Sequence, residues 1–296
     1  MEYKKHINQW ITVIWLIFIC VAGYFVFRSL PIDFFTWRDI NYFRVSLAIS
    51  TGLVGSLPLV WVVHDYLVKK SWQVSFILTF LPAIAKYIPG KIWTFLGFVL
   101  QARNMVGISE KDASFFQVYN QLISMLASVI LVIGSISIVN FFKGSRSLSH
   151  FNIGAVVLFL VSIIMLYFFI RIAEKYKHAI EKYRVFCHVV ALSFQKILKG
   201  LSLALFVSAF TPVQGFVFEI VLAFVIAAQI GIFAFFAPAG LGVTESAYVL
   251  LLSEPFTLAT AVQIAIFARV WQIILDVLLF VASFILKLCY FREFRA

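Results

Sequence analysis

Two lysines flank a Pro-Gly step in the stretch AKYIPGKIWTF, Ala85–Phe95. A helix that begins after Pro89-Gly90 presents N–H groups with no intrahelical acceptor, and its dipole adds partial positive charge at that end. Lys86 and Lys91 place full charges beside it, with Tyr87 and Trp93 alongside and Arg103 further on. Unpaired N–H groups and ammonium groups together are the chemistry of an anion site. Phosphate is the anion that phospholipids and polyprenyl-linked lipids carry. The competing reading is a single kinked span whose lysines snorkel to the interface.

A second constellation has the opposite sign. Glu245 follows Pro238, Gly240, Gly242 and Thr244. Thr244 can cap a helix there and Glu245 can complement its dipole. A carboxylate buried in an apolar bundle would instead need a partner. Further on, Arg269, Gln272 and Asp276 are spaced to share one helix face. Arg269 can pair structurally with Asp276, or with Glu245 as a gate. Tyr119, Asn120 and Gln121 put polar groups into an apolar helix, where they line a cavity or bond between helices. The three cysteines are scattered, and no metal-ligand spacing, phosphate-binding glycine loop or nucleophile elbow occurs, so no metal or cofactor is expected. His64, His150, His178 and His188 fall at predicted membrane edges or in loops and read as solvated.

The elements that must position these groups are membrane helices. Of the 296 residues, 63% are hydrophobic and 12% charged. A soluble surface made from that mixture would be one continuous apolar patch. The net charge of +11 reads as cytoplasmic loops facing anionic lipid, and does not argue for nucleic acid. Apolar runs predict an uncleaved first span after Lys4 and Lys5, a second over Tyr42–His64, and a long one over Ala113–Phe142. Another covers Ile153–Ile170, with further spans near Val190–Phe210, Gly215–Phe236 and Phe256–Cys289. The basic segment Arg171–Lys199 reads as cytoplasmic and amphipathic, lying on the membrane surface. The expectation is an all-α, polytopic transmembrane bundle of seven or eight spans, one integral domain over residues 1–296, with two re-entrant, interrupted hairpins. Pro89 and Pro238 lie about half a chain apart, which fits an inverted repeat of residues 1–150 and 151–296; two unrelated kinks are the alternative.

KYIPGKIW (Lys86–Trp93), QARNMVGIS (Gln101–Ser109), PAGLGVTESAYVLLL (Pro238–Leu252) and Arg269 in the final helix together resemble the lysylphosphatidylglycerol synthase transmembrane family, also called flippase-like domain proteins. The resemblance covers most of the chain and is strongest in the first and third motifs. It implies a lipid translocator without the soluble synthase domain, in the cell (plasma or inner) membrane. It also implies a role in envelope lipid or lipid-linked glycan metabolism, with envelope biosynthesis enzymes as partners. Family members often carry an acidic residue near the place of Tyr119–Asn120. This chain has none there, so a cationic lysyl-lipid substrate is not implied.

The expected activity is therefore binding an anionic phospholipid or polyprenyl-phosphate-linked lipid near the midplane and moving it between leaflets. The alternatives are a membrane-embedded glycosyl or aminoacyl transferase, or a non-catalytic subunit of an envelope complex. A transferase would need an acidic pair, for which Asp33 and Asp39 are the nearest candidates.

Overall fold

The computed structural model describes residues 40–68, 71–88, 92–143, 164, 167, 171, 182–213, 215–234 and 237–293. The expected first span, the Asp33/Asp39 pair, the tip Pro89-Gly90-Lys91 and nearly all of the span expected at Ile153–Ile170 lie outside them.

Among the described residues there is no strand. The chain runs α1 (Tyr42–Val54), α2 (Leu57–Val63) with a π turn (His64–Val68), α3 (Trp72–Phe80), a first 3-10 turn (Pro82–Tyr87), α4 (Ile92–Val106) and α5 (Glu110–Lys143). It continues through α6 (Lys182–Ser208), α7 (Val217–Phe233), a second 3-10 turn (Pro238–Gly240), α8 (Val243–Leu252) and α9 (Leu258–Glu293). Among the described residues, four segments are long and apolar enough to cross a membrane: Tyr42–Val68, Glu110–Ser135, Tyr183–Ser208 and Leu258–Tyr290. The protein is an all-helical membrane protein. Helices α7 and α8 are apolar but shorter, about 25 Å and 15 Å at 1.5 Å per residue, against a hydrocarbon core of about 30 Å.

Local chemistry explains several element starts. Ser71 accepts the Val74 N–H at the head of α3. Ser109 accepts the Asp112 N–H at 3.1 Å and donates to the Asp112 carboxylate at 2.6 Å, closing the N-terminus of α5. Thr257 accepts the Thr260 N–H ahead of α9.

Helices α1 and α6 approach closely because α1 turns small residues toward α6. Ala48 is fully buried, and its carbonyl accepts the Ser202 hydroxyl at 2.7 Å. One turn on, a Cβ at Gly52 would lie 2.7 Å from Ser202 Oγ and 2.8 Å from Leu275. At Gly55 it would lie 2.9 Å from Leu198. In lipid, where apolar burial between helices contributes little, such close backbone packing is a main source of association. Aromatic rings fill the wider gaps. Phe206 stacks on Trp271 at 4.6 Å, and Phe210 on Phe267 at 5.1 Å, joining α6 to α9.

Two expectations change. The span beginning at Tyr42 does not end at His64; the apolar run continues through the π turn to Val68. The surface helix expected to end near Lys199 and the span expected from Val190 are one continuous helix, α6, from Lys182. Its polar stripe faces the bundle interior: His188 and Ser202 are fully buried, while Phe186, Val190 and Phe194 are exposed. The segment is amphipathic as expected, but its polar side chains His188 and Ser202 meet protein and not water.

Gly52→Val should therefore lower the melting temperature in detergent, because overpacking a close helix contact costs about 1–3 kcal/mol. Gly134→Ala, where an added Cβ meets nothing within 4 Å, should leave it unchanged or slightly raised. Equal melting of Gly52→Val and wild type would show that the α1–α6 contact is not tight.

Candidate functional site

Both interruptions have a local cause. Pro82 lacks an N–H and its ring crowds the preceding turn, so α3 stops and the chain tightens into a 3-10 turn. The interruption thus begins seven residues before Pro89. Gly97 of α4 packs on Pro82, where a Cβ would meet the proline Cβ at 3.2 Å. At the second interruption Ala239 sits in the left-handed region at φ 48°, and Gly240 follows at φ 73°. Cβ atoms at Gly231 and Gly240 would lie 2.4 Å and 2.6 Å from Thr244 Oγ1, so only glycines let Thr244 wedge between the end of α7 and the turn.

The two 3-10 turns touch each other, and α9 packs against the first of them and against α8. Polar groups gather where they meet. Lys86 Nζ lies 2.5 Å from Asp276 Oδ2. The Tyr87 hydroxyl donates to the same oxygen at 2.6 Å. Arg269 is 7% exposed; its guanidinium carbon sits 5.8 Å from the Tyr87 ring centroid, and Nη1 donates to the Ala239 carbonyl at 3.0 Å. Glu245 Oε1 lies 3.5 Å from Arg269 Nε, an ion pair in which neither atom makes a hydrogen bond. The other oxygen of Glu245 accepts the Gly242 N–H at 2.7 Å. Glu245 thus closes the start of α8 and faces Arg269 at once, combining the two roles the sequence left open. Lys199 of α6 adds a cation within electrostatic reach of Asp276 and Lys86.

The structure brings together Lys86, Tyr87, Glu245, Arg269 and Asp276, with Gly240 and Gly242 shaping the second turn. Asp276 pairs with Lys86 and Tyr87, and Arg269 with Glu245. Gln272 lies on α9 between Arg269 and Asp276, partly buried, and Pro238 opens the second turn. Arg103 is elsewhere: it is exposed at the end of α4 and pairs with Glu110 across the turn into α5. Trp93 is half exposed on α4. Tyr119 is buried in a different network, and beside it Asn120 keeps a buried oxygen without a partner.

That network centres on His188, which sequence alone read as solvated. It is fully buried. Its Nε2 lies 3.1 Å from Asp65 Oδ2 and its Nδ1 2.8 Å from the Tyr119 hydroxyl. A proton on Nε2, with Nδ1 accepting from Tyr119, satisfies both bonds. The π turn aims Asp65 at α6, where Arg184 also reaches it at 3.7 Å. The signal that could have exposed this was the spacing of Arg184, His188, Lys196, Lys199 and Ser202, which recur along one helical face. Among the described residues, no group of three or more His, Cys, Asp or Glu side chains is arranged to hold a metal ion.

No family model matches the chain, and neither a curated protein nor a solved structure does.

Two outcomes follow. Arg269→Gln should destabilise by about 3–5 kcal/mol, since it strands Glu245 and frees the Ala239 carbonyl. Glu245→Gln alone should cost less, because Arg269 keeps its contacts to Ala239 and Tyr87. A thermal-melt double-mutant cycle should show a coupling above about 0.5 kcal/mol, and strict additivity would mean the pair does not interact. Separately, Tyr119→Phe should cost about 1–3 kcal/mol in chemical denaturation by leaving His188 Nδ1 unpaired; unchanged stability would remove the bond from the account.

Proposed function

We propose that the chain is a multi-pass lipid translocator of the cell membrane. It binds the phosphate of an anionic lipid headgroup where its two interrupted helices meet. The observation that carries this reading is a charge imbalance in an apolar bundle. Lys86, Lys199 and Arg269 bring three cations to the cluster, and Asp276 and Glu245 bring two carboxylates. An uncompensated cation among membrane helices is costly, and an incoming anion offsets that cost. A phosphodiester headgroup carries the one charge required.

Position supports the same reading. Asp276 is about 27 Å along the helix from Leu258 and about 21 Å from Tyr290, near the middle of the longest apolar segment. Broken helices that present irregular backbone at such depth are the usual frame of a substrate site in secondary transporters, and inverted repeats often supply one break each. On this reading the segments around Pro82–Tyr87 and Pro238–Gly240 are re-entrant hairpins from corresponding halves. The resemblance of KYIPGKIW and PAGLGVTESAYVLLL to flippase-like proteins points the same way, toward envelope lipid or lipid-linked glycan metabolism. The Arg269–Glu245 pair, close but not hydrogen-bonded, is suited to break as access alternates.

Asp276 occupies Lys86 in this state, so an anion must compete with it. Lys86→Gln should weaken binding of phosphatidylglycerol to the purified protein about ten- to a hundredfold, the value of a charged hydrogen bond at roughly 1.5–3 kcal/mol. Asp276→Asn should strengthen it. In vesicles, movement of a fluorescent phosphatidylglycerol, followed by dithionite quenching, should fall with Lys86→Gln. Unchanged binding in both variants, or no lipid movement by the wild type, would overturn the proposal.

A further inference from the structure

The His188 network is used by no part of the lipid-binding reading, and its place in the fold is distinctive. Asp65 is three residues from the end of the crossing segment Tyr42–Val68, and Arg184 is the second residue of Tyr183–Ser208. Their side chains are 30% and 37% exposed, and at the ends of crossing segments that surface faces water and headgroups. His188 lies about 6 Å further along α6 than Arg184, and about 30 Å short of Ser208 at the other end. It is fully buried, as is Tyr119. Of its two hydrogen-bond partners among the described residues, only Asp65 has exposed surface. Phe116, Ile123 and Leu192 pack in the same core. The π turn places Asp65 here, and short π segments in helices are frequent at functional sites.

The bonds fix what an added proton does. An ionised Asp65 only accepts, so Nε2 carries the ring hydrogen and Nδ1 accepts from Tyr119. An imidazolium has two donors and no acceptor. A hydronium that gives its proton to Nδ1 leaves as water. The Nε2–Asp65 bond then becomes charge-assisted, and the bond donated by Tyr119 ends, its hydroxyl hydrogen turning away. Before the proton arrives, Arg184 and Asp65 offset one another and His188 is neutral. Arg184 Nε, at 3.7 Å, stands beyond hydrogen-bond range of the carboxylate, so Asp65 can still serve the imidazolium. The other titratable groups nearby are occupied elsewhere or neutral. On the π turn, Tyr66 lies against the Tyr119 ring at 5.0 Å, and His64 bonds Ser75 and stacks on Trp72. On α5, Asp112 is held by Ser109. Lys196 of α6 bonds Ser124 two turns further in, and α9 brings Tyr290 to the margin of the core.

We propose that His188 is a one-sided proton site, in equilibrium with water at the membrane edge where α6 begins. Taking up the proton tightens α6 on the π turn and releases its hydrogen bond to α5. A tie that served only to align helices would need no group that titrates. The proposal stands apart from the lipid-binding reading, since none of its readouts depends on headgroup binding.

The first test is nuclear magnetic resonance of the full chain in detergent with isotope-labelled histidine. The signal missing from His188→Gln belongs to His188. It should show the neutral Nε2–H tautomer at about pH 8 and the imidazolium by about pH 5, the range in which histidine ordinarily changes charge. Asp65→Asn should abolish that change. A ring that stays neutral throughout, or that titrates alike in Asp65→Asn, overturns the site. Trp61 gives a second readout that does not require His188→Gln to fold. Its ring meets His188 edge-on at 5.3 Å, and an imidazolium in contact with indole quenches its fluorescence. The emission difference between wild type and Trp61→Phe should fall on acidification, and no fall overturns the site. Sidedness is read in vesicles acidified on one side only. The fraction of Trp61 emission quenched should equal the fraction of molecules labelled from that side by an impermeant maleimide at Tyr183→Cys, without the native cysteines. Quenching that follows acid on the opposite side overturns the one-sided assignment.

Discussion

A single guanidinium holds the two interruptions together. Backbone that leaves the helical ladder among membrane helices must find other partners, because hydrocarbon offers none. Arg269 answers that need on both sides: it donates to the Ala239 carbonyl in the second turn and lies over the ring of Tyr87 in the first. It can do both because the guanidinium is planar, carries five donors and presents a face as well as an edge. The strained φ of Ala239 is tolerated where its carbonyl is so held. Glu245 completes the arrangement, closing the first turn of α8 with one oxygen and facing Arg269 with the other.

Around that junction the bundle is arranged from the inside out. Large apolar side chains such as Leu250, Phe284 and Ile285 are exposed on the outer surface, where lipid tails would meet them. Polar side chains are turned inward and bonded to one another. Helix α6 shows the rule most clearly: the Arg184–His188 end is tied to Asp65 and Tyr119, Lys196 to Ser124, and Ser202 to Ala48 and Trp271. Hydrogen bonds between membrane helices are each modest in value. Their effect here is registry: each one specifies which residue of α6 meets which residue of its neighbours.

The same arrangement gives the proposed activity its physical basis. On that proposal, a headgroup entering the cluster would exchange hydration for lysine and arginine contacts and would displace Asp276 from Lys86, so that an internal carboxylate and an external phosphate would compete for one site. Competition of that kind keeps the cations paired when no ligand is bound and allows the ligand to leave.

Composition and apolar run length were enough to establish a helical membrane protein, since only such a chain can place so many apolar residues. Pro238 and the glycines beside it marked the second interruption, and Pro89-Gly90 the neighbourhood of the first, because a missing N–H and left-handed turns leave marks in residue type; the first break itself begins earlier, at Pro82. Helical spacing likewise grouped Arg269 with Asp276; the same spacing links Arg184, His188 and Lys196, but His188 by itself read as solvated. Spacing along one helix carries no information about the neighbour across the gap. That Asp276 takes Lys86 and Tyr87, that Glu245 reaches Arg269, and that the basic stripe of α6 faces protein all depend on which helices pack side by side. Side-chain contacts between residues 189 positions apart, as for Tyr87 and Asp276, arise only when the assembled bundle closes the distance.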